Sequence, residues 1–188
     1  MKLYLNDHLQ DFDLREALAQ LSDQRREQAL KFRHEQGQRT CAAAYLLLCR
    51  ALAQEYGITE RPLFGYGEHG KPYIIGHEDI HFNLSHCREV ALCVVSDRPV
   101  GVDVESVRPL KDGLVEYTMN EREVARIRQA ADPALEFTRL WTQKEAVLKL
   151  SGEGINNHLK AVLDREDVTW HTCDGPDARY VYTVCQFA

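Results

Sequence analysis

The longest stretch of apolar residues in the chain predicts a buried helix. It covers Gln38 to Tyr56, which is rich in alanine and leucine. Gly57 follows at the position where helices commonly end, because glycine readily adopts the left-handed conformation required there. A more polar helix is expected after Ser22, whose hydroxyl can accept a hydrogen bond from the first turn.

Two further helices are predicted in the second half of the chain. Thr118 begins a T-x-x-E sequence, which is typical of a helix N-terminus, so we expect a helix to start there. The pair Asp132-Pro133 interrupts it, and a second helix is expected from about Ala134 to Leu150. Gly152 and Gly154 would end that helix.

Short apolar or alternating segments predict strands between and after these helices. The candidates are Asp79 to Leu84, Val90 to Ser96, Pro99 to Glu105, Val168 to Thr172 and Arg179 to Phe187. Residues Gly65 to Pro72 are expected to form a loop. Short strands mixed with helices predict an α+β fold, and the segment from Ser96 to Pro99 is the best midpoint.

Composition narrows the class of protein. The 188 residues are 44% hydrophobic and 28% charged, which is typical of a globular domain. The net charge of −6 argues against general nucleic-acid binding, although a local basic patch could still hold a phosphate ligand. The apolar run from Cys41 to Cys49 is far shorter than the ~20 residues of a membrane span.

The N-terminus and the cysteines predict a cytoplasmic protein. The first residues contain no apolar segment typical of a secretory signal. The six cysteines form no C-x-x-C pair, so a zinc ribbon or a thioredoxin-like centre is not expected. We therefore expect reduced, mostly buried thiols.

Two acids two residues apart form the first candidate site. In a strand from Val100 to Glu105, alternation places Asp103 and Glu105 on one face, roughly 6.5–7 Å apart. Their mutual repulsion would be relieved by a divalent cation, and oxygen ligands suit magnesium. The alternative is an edge strand with a solvated acidic face, and the motif taken alone favours that alternative.

The second candidate is a stripe on the predicted helix of residues 134–150. Trp141, Glu145 and Lys149 recur every four residues and therefore share one face. Glu145 could complete a metal site or act as a general base, and Lys149 could hold phosphate charge or supply a proton. The alternative, favoured by the stripe taken alone, is an exposed Glu-to-Lys pair worth ~0.3–0.5 kcal/mol. That pair gives Trp141 no reason to lie on the same stripe.

Four polar or cationic residues are candidates for binding phosphate: Arg39, Lys71, Ser85 and His86. Each also has an ordinary structural interpretation, as a solvated helix residue, a loop charge or a strand-end cap. A basic segment with Arg25, Arg26, Lys31 and Arg33 precedes them.

The order of these motifs resembles one family. The series is Gly70-Lys71-Pro72, then Phe82-Asn83-Leu84-Ser85-His86, then Gly101-Val102-Asp103-Val104-Glu105, then W-x-x-K-E-A-x-x-K-x-x-G-x-G from Trp141 to Gly154. It is similar to the 4'-phosphopantetheinyl transferases, particularly the larger type typified by the surfactin-synthetase activator. The resemblance implies two similar α/β halves, here 1–98 and 99–188, packed about a pseudo-twofold axis with a ligand cleft between them.

The resemblance also implies an activity and a set of site residues. Members transfer the phosphopantetheine arm of coenzyme A to a serine of an acyl or peptidyl carrier protein and release adenosine 3',5'-bisphosphate. By resemblance, Asp103, Glu105 and Glu145 would bind Mg2+, or Mn2+. Glu145 and Lys149 would be catalytic. The coenzyme A contacts implied are Arg39, Thr40, Lys71, Ser85 and His86.

The resemblance makes a monomer the default, with no nucleic-acid or membrane partner expected. The face formed by Arg122, Arg126 and Arg128 is a candidate docking patch for the carrier protein, unless Glu121 and Glu123 already balance it. Two other functions stay open: a metal-dependent phosphoesterase using the same acids on water, and a non-catalytic coenzyme A-binding module.

Overall fold

The computed structural model describes residues 1–152, 154 and 159–188 and confirms a mixed α+β fold. The helices are α1 Leu14–Gln20, α2 Asp23–Leu30, α3 Glu35–Tyr56, α4 Asp112–Thr118, α5 Glu121–Gln129 and α6 Pro133–Ser151. The strands are β1 Lys2–Asn6, β2 Phe64–Tyr66, β3 Pro72–Ile74, β4 His81–His86, β5 Ala91–Ser96, β6 Val100–Ser106, β7 Val168–Asp174 and β8 Tyr180–Phe187. Short 3-10 turns cover Leu159–Asp164 and Pro176–Ala178.

Two antiparallel three-stranded sheets form the framework. The first has the strand order β1-β5-β4, and the second has the order β6-β8-β7. Helix α3 packs on the first sheet, and helix α6 packs on the second. The valines of β6 pack against Val90, Leu92 and Val94 of the β5 region, so a common apolar layer joins the two sheets.

Helix ends follow the predicted local chemistry. The Ser22 hydroxyl accepts a hydrogen bond from the amide of Arg25 at the start of α2. Gly57 and Gly152 end α3 and α6 in the left-handed conformation, with φ of 69° and 76°. The helix predicted from Gln38 begins three residues earlier, at Glu35.

The predicted helix start at Thr118 is wrong by two residues. Thr118 is the last residue of α4, and its hydroxyl donates to the Leu114 carbonyl oxygen. The reciprocal cap belongs to Asn120 and Glu123, each of which accepts a hydrogen bond from the other's backbone amide. The same type of capping box therefore occurs two positions along the chain.

The loop expected from Gly65 to Pro72 is also wrong in part. Strands β2 and β3 pair as a hairpin there, with Gly65 opposite Tyr73. A Cβ atom at Gly65 would lie 2.2 Å from the Tyr73 ring, so the ring covers the space that glycine leaves. The glycine that suggested a loop is a strand residue beneath an aromatic side chain.

None of the described helices combines the length and apolar character needed to cross a membrane.

Candidate functional site

Asp103 of β6 is the centre of a buried polar cluster. Its side chain is almost fully buried, with a residue exposure of 3%. The Lys149 ammonium lies 2.6 Å from Asp103 Oδ1, and the Ser85 hydroxyl donates to the same oxygen at 3.0 Å. Lys149 Nζ also donates to Ser85 Oγ at 3.0 Å. The interpretation of this strand as having a solvated acidic face is therefore wrong.

Gly101 allows α6 to approach β6 closely enough to build this cluster. A Cβ atom at position 101 would lie 2.1 Å from the Ala146 carbonyl oxygen and 2.8 Å from the Leu150 amide nitrogen. Only glycine accommodates that approach without displacing the helix backbone. The close packing brings Lys149 within reach of Asp103, so the exposed Glu-to-Lys pair considered for this helix is not what forms.

Two further acids lie near Asp103. Burial, together with the charges of Asp103 and Glu145, raises the pKa of Glu105 to about 7 against the attraction of Lys149. Burial likewise raises the pKa of Glu145, with Asp103 adding to the shift and Lys149 opposing it. The three acids therefore form one electrostatically coupled group.

The donor chemistry of this group fits a divalent cation. Asp103 Oδ2 is buried and has no hydrogen-bond partner among the described residues, so one lone pair is available to a ligand. Carboxylate oxygens are the donors that magnesium prefers. Within 1–152, 154 and 159–188, however, no three His, Cys, Asp or Glu side chains form a ready-made metal cluster. In this arrangement the Lys149 ammonium supplies the positive charge beside Asp103.

A cavity of about 290 Å³ opens beside the cluster on the first half of the chain. Its lining includes Arg25, His86 and Lys149. Arg25 Nε is buried and unpartnered among the described residues, so the guanidinium retains a free donor. Burial and the charges of Arg25 and Lys149 lower the pKa of His86 to about 4. Of the four basic residues noted in this segment, Arg25 reaches the cavity, a distinction that the sequence did not provide.

Three residues assigned by resemblance have their polar groups engaged elsewhere. Arg39 donates to the Glu35 carboxylate and to the Phe12 carbonyl oxygen. The Thr40 hydroxyl is buried and donates to the Gly37 carbonyl oxygen. Lys71 Nζ donates to the Leu150 carbonyl oxygen at 2.7 Å, at the end of α6, and burial lowers the pKa of Lys71. The predicted ligand roles of these three residues stay predictions.

A second groove, of about 280 Å³, adjoins Glu105 of the acidic cluster. Glu105 and Trp141 border it, and its walls include Phe137, Leu110 and Leu114. The side chains of Leu114, which lines this groove, and of Tyr117, on the same helix α4, are exposed to solvent. Lys149 therefore borders the cationic cavity, and Glu105 borders a groove of mixed lining, which also includes Arg108 and Lys111.

Lys144 is an important residue that the sequence analysis missed. Its side chain is completely buried, and Nζ donates to the Leu159 carbonyl oxygen at 2.6 Å and lies 2.9 Å from Glu123 Oε1. Lys144 therefore ties α6 to the cap of α5 and to the turn at 159. Its position directly before Glu145 was the available signal. Adjacent helix residues point about 100° apart, so Lys144 lies off the face that carries Glu145.

The observed contacts change the charge balance expected for the candidate docking face of Arg122, Arg126 and Arg128. Glu123 is buried against Lys144, so it does not balance surface arginines. Arg126 forms an ion pair with Glu136 of α6. Arg122 and Arg128 are exposed.

Comparisons with known proteins agree with the geometry. The profile of the 4'-phosphopantetheinyl transferase superfamily matches residues 99–184, which carry all three acids and Lys149. A 4'-phosphopantetheinyl transferase of Bacillus subtilis is 31% identical over 143 residues, covering 74% of this chain and 63% of the relative. The transferase gsp of Aneurinibacillus migulanus is 35% identical over 113 residues, covering 58% and 47%. The transferase Sfp of Bacillus subtilis (strain 168) is 23% identical over 157 residues, covering 82% and 70%. The chain thus spans about half to two thirds of the length of these relatives.

Proposed function

Because the chain belongs to the 4'-phosphopantetheinyl transferase superfamily, we propose that it transfers the 4'-phosphopantetheine arm of coenzyme A to a carrier protein. The acceptor is a serine hydroxyl of an acyl or peptidyl carrier protein, and the second product is adenosine 3',5'-bisphosphate. The observation that carries this proposal is the ion pair between the buried Asp103 and Lys149, which lines a cationic cavity.

The reaction exchanges one phosphorus–oxygen bond for another. The serine oxygen bonds to the phosphorus that carries the pantetheine arm, and the bond from that phosphorus to the bridging oxygen of the pyrophosphate breaks. Glu145 accepts the serine proton, directly or through water. Lys149 stabilises the charge on the pyrophosphate or protonates the leaving oxygen.

Asp103, Glu105 and Glu145 are the residues that would hold Mg2+ or Mn2+. A bound divalent ion supplies charge neutralisation for the pyrophosphate. The unpartnered Asp103 Oδ2 and the raised pKa values of Glu105 and Glu145, due first to burial and then to the charge of Asp103, support this assignment. A cation would offset the repulsion between these acids.

Coenzyme A is assigned to the cavity beside Lys149. Arg25, His86 and Lys149 line that cavity, and Lys149 donates a hydrogen bond to Ser85. The free donor of Arg25 suits a phosphate oxygen. Arg39, Thr40 and Lys71 are kept as proposed contacts, which requires Arg39 and Lys71 to exchange their present carbonyl partners for ligand oxygens.

The proposal extends to the architecture and the setting of the enzyme. Residues 1–98 and 99–188 are proposed as two similar halves about a pseudo-twofold axis, since each contains a three-stranded sheet covered by a long helix. We further propose a cytoplasmic monomer that binds neither nucleic acid nor membranes. The exposed Arg122 and Arg128 are the proposed carrier contacts.

Release of the nucleotide product distinguishes the proposal from its alternatives. The protein is incubated with coenzyme A and Mg2+, with and without an apo-carrier protein, and adenosine 3',5'-bisphosphate is quantified by chromatography. The proposal predicts release only with the carrier. Release without any carrier indicates a phosphoesterase. Binding of coenzyme A with no release in either mixture, and no weakening when Mg2+ is removed, indicates a binding module.

A further inference from the structure

The two sheets meet at strands β4 and β6, which are not joined by a backbone ladder. β6 is an edge strand of the second sheet, with β8 as its neighbour, and β4 is an edge strand of the first sheet. Alternate amides of an edge strand face away from its own sheet. On β6 these include the amides of Val102 and Val104, both of which are buried residues. Buried amides need hydrogen-bond partners, and here another sheet must provide them.

Two side chains of β4 provide those partners. Asn83 Oδ1 accepts a hydrogen bond from the Val102 amide at 3.1 Å. Ser85 Oγ accepts a hydrogen bond from the Val104 amide at 3.2 Å. Residues two apart in a strand point the same way, so the Asn-x-Ser spacing of β4 matches the spacing of the two amides on β6. The pair of bonds therefore fixes the register of β6 against β4.

This register determines where the acids point. Asp103 lies between the two bonded amides, and it reaches Ser85 and Lys149 only in the observed alignment. A shift of one residue would turn Asp103 and Glu105 to the opposite face of the strand. Ser85 contacts Asp103 directly, whereas Asn83 acts one residue away, through the backbone of Val102.

We propose that Asn83 is a positioning residue for the transfer reaction, whose side-chain carbonyl holds β6 in the register that directs Asp103 and Glu105 toward α6. The consequence for activity rests on the proposed function. The consequence for the β4–β6 junction does not, and the two are tested separately.

The first test compares Asn83→Leu with a matched control. Tyr45→Phe also removes one buried hydrogen bond from a side chain to the backbone, in this case to the Pro62 carbonyl oxygen. We expect the transfer rate per folded molecule to fall about 10- to 100-fold in Asn83→Leu, because small displacements of catalytic groups have effects of this size. Because Asn83 also lines the cavity assigned to coenzyme A, KM for coenzyme A rises as well, and the loss of kcat at saturating coenzyme A measures the positioning effect. Tyr45→Phe keeps the wild-type rate.

The proposed role of Asn83 is wrong if Asn83→Leu and Tyr45→Phe lose similar thermal stability and both keep the wild-type rate. In that case Asn83 only stabilises the fold.

The second test measures hydrogen exchange of backbone amides by NMR and needs no activity. In the wild-type protein we expect the Val102 and Val104 amides to exchange as slowly as that of Asp103, which is paired with Thr183 of β8. Asn83→Asp keeps the accepting oxygen and should keep Val102 protected, whereas Asn83→Leu should expose it. Fast exchange at Val102 in the wild type overturns the proposal even if Asn83→Leu does not fold. If the wild-type protein is inactive, the proposed function is contradicted. The role of Asn83 at the β4–β6 junction is still tested by the exchange rate of the Val102 amide.

Discussion

Helices α3 and α6 have the same role in the fold but bury very different side chains. Each covers a three-stranded antiparallel sheet. α3 does so with alanine, leucine and cysteine, joined by Thr40 and Tyr45. α6 buries five polar or charged side chains among eleven: Glu136, Thr138, Thr142, Gln143 and Lys144.

The difference separates a helix that stabilises from a helix that also carries chemistry. Buried charges cost solvation free energy and are tolerated where they are paired. On α6 they are paired: Lys144 with Glu123, Glu136 with Arg126 and Arg139, and Lys149 with Asp103. Such an arrangement fixes the rotation and height of the helix, and with it the position of Glu145.

The largest expected effect is on activity, at α6 and β6. Glu145→Gln should lower the transfer rate about 10²- to 10⁴-fold, the range for loss of a general base. Asp103→Ala should abolish transfer; because the change also leaves Lys149 without its ion-pair partner, the rate is compared per folded molecule. Glu27→Gln, an exposed acid on α2, is the control and should keep the wild-type rate. Near-normal turnover by the Glu145 or Asp103 variant would show that the acids are not the site.

The next effect is on stability, at the buried lysine. Lys144→Met should lower the free energy of unfolding by about 3–5 kcal/mol, because Glu123 would remain buried without its partner. Adding Glu123→Gln to Lys144→Met should recover part of that loss. Urea denaturation followed by circular dichroism measures both. If Lys144→Met is as stable as the double variant, leaving Glu123 unpaired costs no stability, which contradicts the role given to this pair.

A smaller loss is expected where α6 approaches β6. Gly101→Ala should cost about 1–3 kcal/mol, as is usual for overpacking, and should also lower the transfer rate. Gly113→Ala on α4 is the control, since no atom lies within 4 Å of the position of its Cβ, and helical alanine should stabilise slightly. Thermal unfolding measures the two shifts. Equal shifts of the same sign would refute the close approach.

At neutral pH the smallest expected effect is that of His86, which shows itself as a change in the pH dependence of stability. The pKa of His86 is lowered to about 4 by burial and by Arg25 and Lys149, with Asp103 opposing them. Between pH 6.5 and 4 the His86 imidazole binds a proton in the unfolded chain but stays neutral in the folded chain. The free energy of unfolding therefore falls as the pH drops through this range. His86→Gln should reduce that fall in a series of urea titrations. An identical pH profile in the variant would contradict the buried, neutral imidazole.

Much of the fold was predictable because long apolar or alternating segments fix their own structure. The helix ending at Gly57, the helix after Asp132-Pro133 and the strand carrying Asp103 all formed close to their predicted bounds. The short elements α1, α4 and β2–β3 were missed, since seven or fewer residues show little periodicity. Thr118 was misassigned because a second capping residue followed within two positions.

In the candidate site, too, some positions could be predicted from the sequence and some contacts could not. The strand that carries Asp103 and Glu105 and the helical stripe that carries Glu145 and Lys149 were predictable from alternation and four-residue spacing, and the roles of these residues stay predictions. The contacts of Lys71 and Lys144 were not, because both ammonium groups bind carbonyl oxygens of residues distant in sequence. Side-chain type shows that a lysine can neutralise charge, but only the packing decides which oxygen it meets.

The most direct test of the account is mass spectrometry of a purified apo-carrier protein incubated with this protein, coenzyme A and Mg2+. The account predicts a mass gain equal to one phosphopantetheine arm. The gain should disappear with a chelator, with a carrier whose acceptor serine is replaced, and with the Asp103→Ala variant. No gain with any acyl or peptidyl carrier tried, or an undiminished gain with Asp103→Ala, would contradict it.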